Sequence, residues 1–375
     1  MPSSHFRYFL RNSVRVIASY YVSNGLFAAL GLLLISGGFH YLVGPLAAAA
    51  ASVGAIVCIP ADQPSPQRGK LWQLLPAALL GLPLFFAVQL LYSTPLYLGM
   101  LLVPASFLAF LAAAWGKRGL PISVSIMFAM IFSMATPHTD HTALVASVYF
   151  AWGAGLYLVY ACIANSLLNE RYRVQFLADA LLGLASLMRI QARQFTCREE
   201  RELLLGQVLQ HQANLTDQLQ SARDLILEAP RNLRRQQLAA MLLSLLEMRD
   251  HLIACELDLE ILQSQENGEA LLQALRLQLE ILSEDLAALA DQLLCRSSIT
   301  RIVDRREQLL ALLDDQSPAI ARSLVGRLAL VGDEAVALAA LARGEQAPDA
   351  TLVRDAWQLF VSPMKWNWQP IATMQ

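Results

Sequence analysis

Six apolar runs separated by short breaks occupy residues 16–164 of this 375-residue chain, and they leave little room for a water-soluble fold there. They cover 16–36, 41–59, 71–91, 96–115, 120–135 and 142–164. A helix needs about 20 residues to cross a hydrocarbon core about 30 Å thick. Most of the six reach that length, and 120–135 falls near its lower limit. Residues 1–166 hold seven basic side chains (Arg7, Arg11, Arg15, Arg68, Lys70, Lys117, Arg118) and two acidic ones (Asp62, Asp140), all in the breaks or flanks of the runs. Backbone in lipid must satisfy its own hydrogen bonds, so runs of this kind fold as spanning helices.

The placement of the basic residues orients the bundle. Arg7, Arg11 and Arg15 precede the first run. Arg68 and Lys70 lie in the second break, Lys117 and Arg118 in the fourth, and Arg171 and Arg173 follow the sixth run. The intervening breaks (37–40, 92–95, 136–141) hold no Lys or Arg. Positive-inside bias then puts the amino terminus and everything after the sixth run in the cytoplasm. The first run is too long for a signal-peptide core and no clean cleavage site follows it, so it reads as a retained anchor. Tyr20, Tyr21, Trp72, Tyr92, Tyr97, Trp115 and Tyr157 mostly fall near run ends, as interfacial aromatics do.

Inside the runs no Asp, Glu, Lys or Arg is deep, whereas proton-coupled carriers commonly keep such a group in the bilayer. The candidate polar path is therefore built of Asn24, His40, Gln89, Ser106 and Ser125, each of which also suits an interhelical hydrogen bond. Small residues (Ala47–Ala51, Ser52, Gly54; Gly153, Ala154, Gly155) are dense enough to let backbones approach closely. Pro45, Pro76, Pro83 and Pro104 are expected to kink or interrupt helices. His138, Asp140 and His141 form a weak candidate metal cluster with no fourth ligand nearby. A polar turn capping the sixth span is the expected role, with no metal bound.

From residue 167 the pattern changes to a helical period with charged faces. Leu238, Met241, Leu245, Met248, Leu252, Cys255, Leu259 and Leu262 form one apolar seam. Leu272, Leu275, Leu279, Leu282, Leu286, Leu289 and Leu293 form another. Asn267-Gly268 lies between them with a one-residue slip of phase, which suggests an antiparallel αα-hairpin. Further helices are expected at 167–194, 199–228, 299–315, 318–343 and 350–360. The seams either close on themselves or recruit a second chain, packing within the chain being the default. The chain as a whole is 15% charged with a net charge of −2, and its basic residues are outnumbered by acidic ones after residue 166, which argues against nucleic acid. Five scattered cysteines (Cys58, Cys162, Cys197, Cys255, Cys295) make no Cys-x-x-Cys pair and read as reduced thiols. Phosphate-binding loops, dinucleotide fingerprints, nucleophile elbows and zinc-protease helices are missing, so neither an enzyme nor a cofactor is expected.

One stretch is more specific. Ile59-Pro60-Ala61-Asp62-Gln63-Pro64-Ser65-Pro66-Gln67-Arg68-Gly69-Lys70 resembles the proline-rich loop of the fusaric-acid-resistance-like (FUSC) inner-membrane proteins, in the YccS/YhfK-type branch related to aromatic-acid exporters. Trp115-Gly116-Lys117-Arg118-Gly119-Leu120 and the following Phe128-Ala129-Met130-Ile131-Phe132-Ser133-Met134 are similar to that branch's fourth loop and fifth span. The resemblance implies efflux of small, often aromatic, organic acids, or an envelope role. It also implies a second membrane half, toward which residues 363–375 would lead. The chain is then expected to act as a homodimer or with a separate second half.

The expectation is an all-α protein: a six-helix transmembrane bundle (1–166), then a cytoplasmic helical-bundle domain (167–362) with a long αα-hairpin. It would sit in the bacterial inner membrane and export organic acids, with Asp62, Pro64, Arg68 and Lys70 as a cytoplasmic gate. The alternative is a membrane-anchored scaffold with no transport activity.

Overall fold

A computed structural model describes residues 15–16, 20–63, 69–116, 119–136, 143–195, 201–227, 232–263, 269–313 and 317–361. Among them the chain is helical, with no strand. It divides into two compact units: an apolar unit, Ser19–Glu170, and a second unit made of Met1–Ala18 with Arg171–Gln375.

The apolar unit begins with α1 (Tyr20–Leu42), α2 (Pro45–Cys58), α3 (Lys70–Leu91), α4 (Pro95–Ala113) and α5 (Gly119–Ala135). It ends with the first half of α6 (Ala143–Gln194). The first break does not fall at 37–40. α1 runs through Gly37 and Gly38, and His40 lies in its last turn. The stop is Gly44 at φ 121°, followed by Pro45 at the first helical position. A left-handed glycine before a residue without an N–H terminates a helix more firmly than paired glycines that retain theirs. α2 is in consequence only 14 residues long. Its lining is mostly buried by neighbouring helices, and the requirement to match lipid thickness applies to helices that face lipid.

α1, α3, α4 and α6 are long and apolar enough to cross a membrane; α2 and α5 are shorter apolar helices. Large apolar side chains such as Leu33 on α1, Trp72 on α3, Val103 and Phe107 on α4 and Trp152 on α6 are exposed. A water-soluble protein does not leave so much apolar surface uncovered. Pro76 and Pro83 lie within α3 and Pro104 within α4, whereas Pro45 starts a helix.

The crossing of α2 and α6 is the closest in the unit. A Cβ added at Gly54 would stand 2.1 Å from the Phe150 carbonyl oxygen, and one at Gly153 would stand 2.0 Å from that of Ala51. These are backbone-to-backbone contacts of the kind that small residues allow in lipid. Gly155 faces open space. Around the crossing, Val57, Leu74, Phe85, Ala129 and Phe150 form a core, with the Phe85 and Phe150 rings 4.7 Å apart.

In the second unit α6 continues to Gln194 without a break at 164–167, because Asn165-Ser166 carries neither Gly nor Pro. A change of composition is not a stop signal. α7 (Arg201–Ile226), α8 (Leu233–Gln263), α9 (Glu269–Cys295), α11 (Ala319–Arg343) and α12 (Ala350–Val361) follow, with a short α10 (Arg306–Leu310) before α11. The two leucine seams lie on α8 and α9, and their described members are buried in one core with α6, α7 and α11. α8 makes its closest approach to α11 rather than to α9, and α9 also approaches α11. α11 thus takes the place that a simple hairpin would give to the partner seam; Asn267-Gly268 lies outside the described residues.

Residues 298–305 are not helical. Ile299, Thr300, Ile302 and Val303 are β-branched and stiff. Gln292 reaches past the end of α9 to accept from the Thr300 backbone N–H at 2.9 Å, and Asp304 accepts from that of Arg306 at 2.9 Å. Arg15, ahead of α1, forms a two-pronged ion pair with Asp291 of α9, at 2.5 and 2.9 Å.

Candidate functional site

Four helix ends or faces of the apolar unit meet around Asp62. α2 stops at Cys58 because Pro60 cannot donate the next helical hydrogen bond. A tight turn follows, in which the Asp62 N–H donates to the Ile59 carbonyl at 3.0 Å and that of Gln63 to the Ala61 carbonyl at 2.9 Å. This turn folds Asp62 back toward the bundle. Lys70, the first residue of α3, forms an ion pair with Asp62 Oδ1 and donates from Nζ to the Gln63 carbonyl at 2.6 Å. The Tyr157 hydroxyl of α6 donates to Asp62 Oδ2 at 3.0 Å. Asn24 Nδ2 of α1 donates to the Asp62 carbonyl at 3.1 Å. One turn further along α6, the Tyr160 hydroxyl donates to the Phe27 carbonyl at 2.8 Å, its ring filling the space that Gly31 leaves.

The ion pair is largely covered, with Lys70 buried and Asp62 half-buried. Lys70 is only 3% exposed, Tyr157 is wholly covered, and so is Cys58 one turn before Asp62. Lys70 therefore does not face solvent as a loop cation would, and Tyr157 is a buried hydrogen-bond donor rather than an interfacial aromatic. Charges taken out of water in this way are stable only when paired and hydrogen-bonded. Here both carboxylate oxygens and two acceptors for the ammonium are accounted for. The arrangement holds a carboxylate against a cation fixed at the start of α3.

Of the residues singled out from sequence, Asn24, Asp62 and Lys70 come together. Pro64 and Arg68 lie outside the described residues. So do Lys117, Arg118, His138, Asp140 and His141, and among the described residues no His/Cys/Asp/Glu group could hold a metal. The remaining polar-path residues lie elsewhere. Gln89 is 19 residues beyond Lys70, about 28 Å along the same helix. There its amide donates to the Ser133 carbonyl at 3.1 Å while Ser133 Oγ donates to that of Phe85 at 3.3 Å, tying α3 to α5. His40 is exposed at the far end of α1 from Asn24. Ser106 donates to its own helix at Leu102, 2.8 Å away. Ser125 is buried with its hydroxyl unpartnered among the described residues. Tyr157 was missed as a site residue. Its signal was available, since a tyrosine about four turns into an apolar helix needs a partner for its hydroxyl.

The chain matches the family model described as FUSC-like inner membrane protein yccS over residues 78–331. That range includes Tyr157 and helices from both units, and it begins just after Lys70, so Asn24, Asp62 and Lys70 lie ahead of it. No curated protein and no solved structure matches it. The match covers well over half of the chain, and the apolar helices on which it begins are those of a multi-pass inner-membrane protein in a family related to transport rather than catalysis. On this match, supported by the fold, the chain belongs to the family of FUSC-like inner membrane proteins of the yccS type.

Proposed function

We propose that this chain is an inner-membrane efflux transporter, or one half of one, for small organic acids, aromatic acids among them. In this reading the apolar unit crosses the bilayer six times, and the amino terminus and helical unit are cytoplasmic. The observation that carries it is the buried Asp62–Lys70 pair, locked by Tyr157 and Asn24 at the end of the unit where the basic breaks lie. Such a latch joins α1, α2, α3 and α6 at one point. Opening it would free a cation that attracts carboxylates. Lys70 counts toward positive-inside bias although it is buried in the finished fold, because that bias acts while the chain inserts and before the pair has formed.

A deletion strain challenged with a panel of aliphatic and aromatic acids tests this reading. Raised intracellular accumulation of at least one acid, reversed by the wild-type chain and not by the Asp62→Asn/Lys70→Met double variant, is the expected result. Unchanged accumulation of every acid would defeat it. The single closed core of the second unit favours the alternative of a membrane-anchored scaffold. In that case the double variant would complement as well as wild type, and the chain would purify with a fixed protein partner.

A further inference from the structure

The ends of α7, α9 and α11 and the start of α8 gather at one end of the second unit. It is the end at which the chain passes to and from the apolar unit. Arg15, a few residues ahead of α1, is paired with Asp291 near the end of α9. Arg171 follows the apolar unit directly along α6, and Arg173 beside it donates to the Ile226 carbonyl at the end of α7, 3.4 Å away. Next to Asp291, Gln292 accepts from the Thr300 N–H, and the Thr300 carbonyl accepts from Arg343 at the end of α11, at 3.2 Å. A Cβ at Gly344 would stand 3.8 Å from the Gln237 amide nitrogen, early in α8. The apolar unit is that of a membrane protein, so this is the end of the second unit nearest the headgroups.

We infer that this end, through Arg171, Leu233, Arg234, Arg235, Arg296 and Arg301, is a binding surface for the headgroups of anionic phospholipids. Arg171, Arg234, Arg296 and Arg301 are exposed and form no ion pair among the described residues. Arg235 is half-buried, and its Nε–H has no partner among them. Two carboxylates at the same end, Asp291 and Glu345, are taken up by Arg15 and Arg343, and Arg301 also stands near Glu345. The opening N–H groups of α8 have no carbonyl within the helix to meet, and a helix start of this kind accepts phosphate. Leu233 sits among these donors, 63% exposed. A leucine flanked by cations suits a lipid surface, where phosphates surround it and hydrocarbon lies beneath.

Membrane insertion does not account for these arginines. Positive-inside bias acts within about 15–20 residues of a span. Arg234 lies more than sixty residues past Arg171, and Arg296 and Arg301 lie farther still. Only folding brings them to this end. After residue 166 acidic residues outnumber basic ones, so an end rich in unpaired arginine departs from the character of the unit that carries it. The inference does not depend on transport, and it holds equally for a membrane-anchored scaffold.

The full chain, purified in a neutral detergent, is titrated with phosphatidylglycerol, phosphatidylcholine and glycerol 3-phosphate, and bound lipid is counted by native mass spectrometry. Phosphatidylglycerol is expected to bind roughly tenfold or more tightly than phosphatidylcholine, at about fivefold per arginine engaged, and glycerol 3-phosphate should not displace it. Arg234→Gln/Arg296→Gln should lose most of that preference. Arg249→Gln/Arg322→Gln, which removes the same charge far along α8 and α11, should keep it. A second measurement reads Leu233 in an otherwise unchanged chain. In nanodiscs with brominated acyl chains, the fluorescence that Leu233→Trp adds should be quenched relative to nanodiscs with unbrominated chains. Equal binding of the two lipids, displacement by glycerol 3-phosphate, a preference that survives Arg234→Gln/Arg296→Gln, an equal loss in Arg249→Gln/Arg322→Gln, or unquenched fluorescence from Leu233→Trp would each overturn the inference.

Discussion

Replacing Gly153 by alanine should loosen the apolar unit by an amount that can be worked out from the α2–α6 crossing. The new methyl would stand 2.0 Å from the Ala51 carbonyl oxygen, against the 3.3 Å or so of an ordinary close C···O contact. The obstacle is backbone, so relief requires α2 and α6 to part by roughly 1.3 Å. A gap of even 0.5–1 Å forfeits about a quarter to a half of each dispersion contact, each worth ~0.1–0.2 kcal/mol. Spread over the packing of Ala51, Val57, Phe150 and Ala154 about the crossing, the loss is of order 1–3 kcal/mol, the range of overpacked cores. Gly54→Ala meets the reciprocal clash with the Phe150 carbonyl and should cost a similar amount. Once one methyl has parted the helices the second fits more easily, so the double variant should lose clearly less than the sum of the single losses. Gly155→Ala is the control: two residues along the same helix it faces open space, and it should be neutral or slightly stabilising. Thermal unfolding of the full chain in mild detergent can be followed by a thiol-reactive dye, because Cys58 of α2 is free and fully buried. Equal stabilities for Gly153→Ala and Gly155→Ala, or strict additivity of Gly54→Ala and Gly153→Ala, would refute the reasoning.

Three further predictions use the same kind of measurement. Lys70→Met should destabilise the chain by about 3–5 kcal/mol, since it strands a buried carboxylate, and adding Asp62→Asn should recover most of that loss; a double variant no more stable than Lys70→Met would show that the pair is not coupled. Burial pushes the Asp179 carboxyl up to about 6, so its favourable contribution is present below about pH 3.8 and is lost as pH rises through about 6; Asp179→Asn should accordingly stabilise the chain by up to about 3 kcal/mol at pH 7.5, and the gain should shrink as pH falls through 6. α9 and α11 end alike, with a left-handed residue whose N–H and that of its successor return to the last turn, but that residue is Arg296 (φ 52°) in one and Gly344 (φ 74°) in the other; Gly344→Ala should cost about 1 kcal/mol, while Arg296→Gly should gain roughly half that.

The sequence makes some of this fold readable because the causes are local. The seams on α8 and α9 follow from spacing alone, and their described members are buried where that spacing requires. The density of small residues at Ala51, Gly54 and Gly153 is likewise a local sign of close helix packing. What could not be read depends on partners distant in sequence. Lys70 opens a helix beside a polar loop, where a lysine ordinarily faces water; only the fold brings it beneath Tyr157, 87 residues away, and encloses it. Residues 299–305 carry apolar side chains at helical spacing, yet the Gln292–Thr300 contact and a run of stiff β-branched residues favour an extended path. The first break falls at Gly44-Pro45 rather than at 37–40, because Pro45 removes a donor and Gly44 reverses φ, whereas Gly37 and Gly38 keep their N–H groups within the helix.

The ion pair between Arg15 and Asp291 constrains the apolar unit from outside it. One partner precedes α1 and the other follows α6 by almost a hundred residues, yet both belong to the same compact unit. In a bilayer two such segments meet only if they emerge on the same face, so the chain between them must cross an even number of times. The four helices long and apolar enough to cross would by themselves make an even set. On the proposed six-crossing reading, α2 and α5 would then cross together, and a topology in which only one of them is re-entrant would pull Arg15 and Asp291 to opposite sides of the membrane.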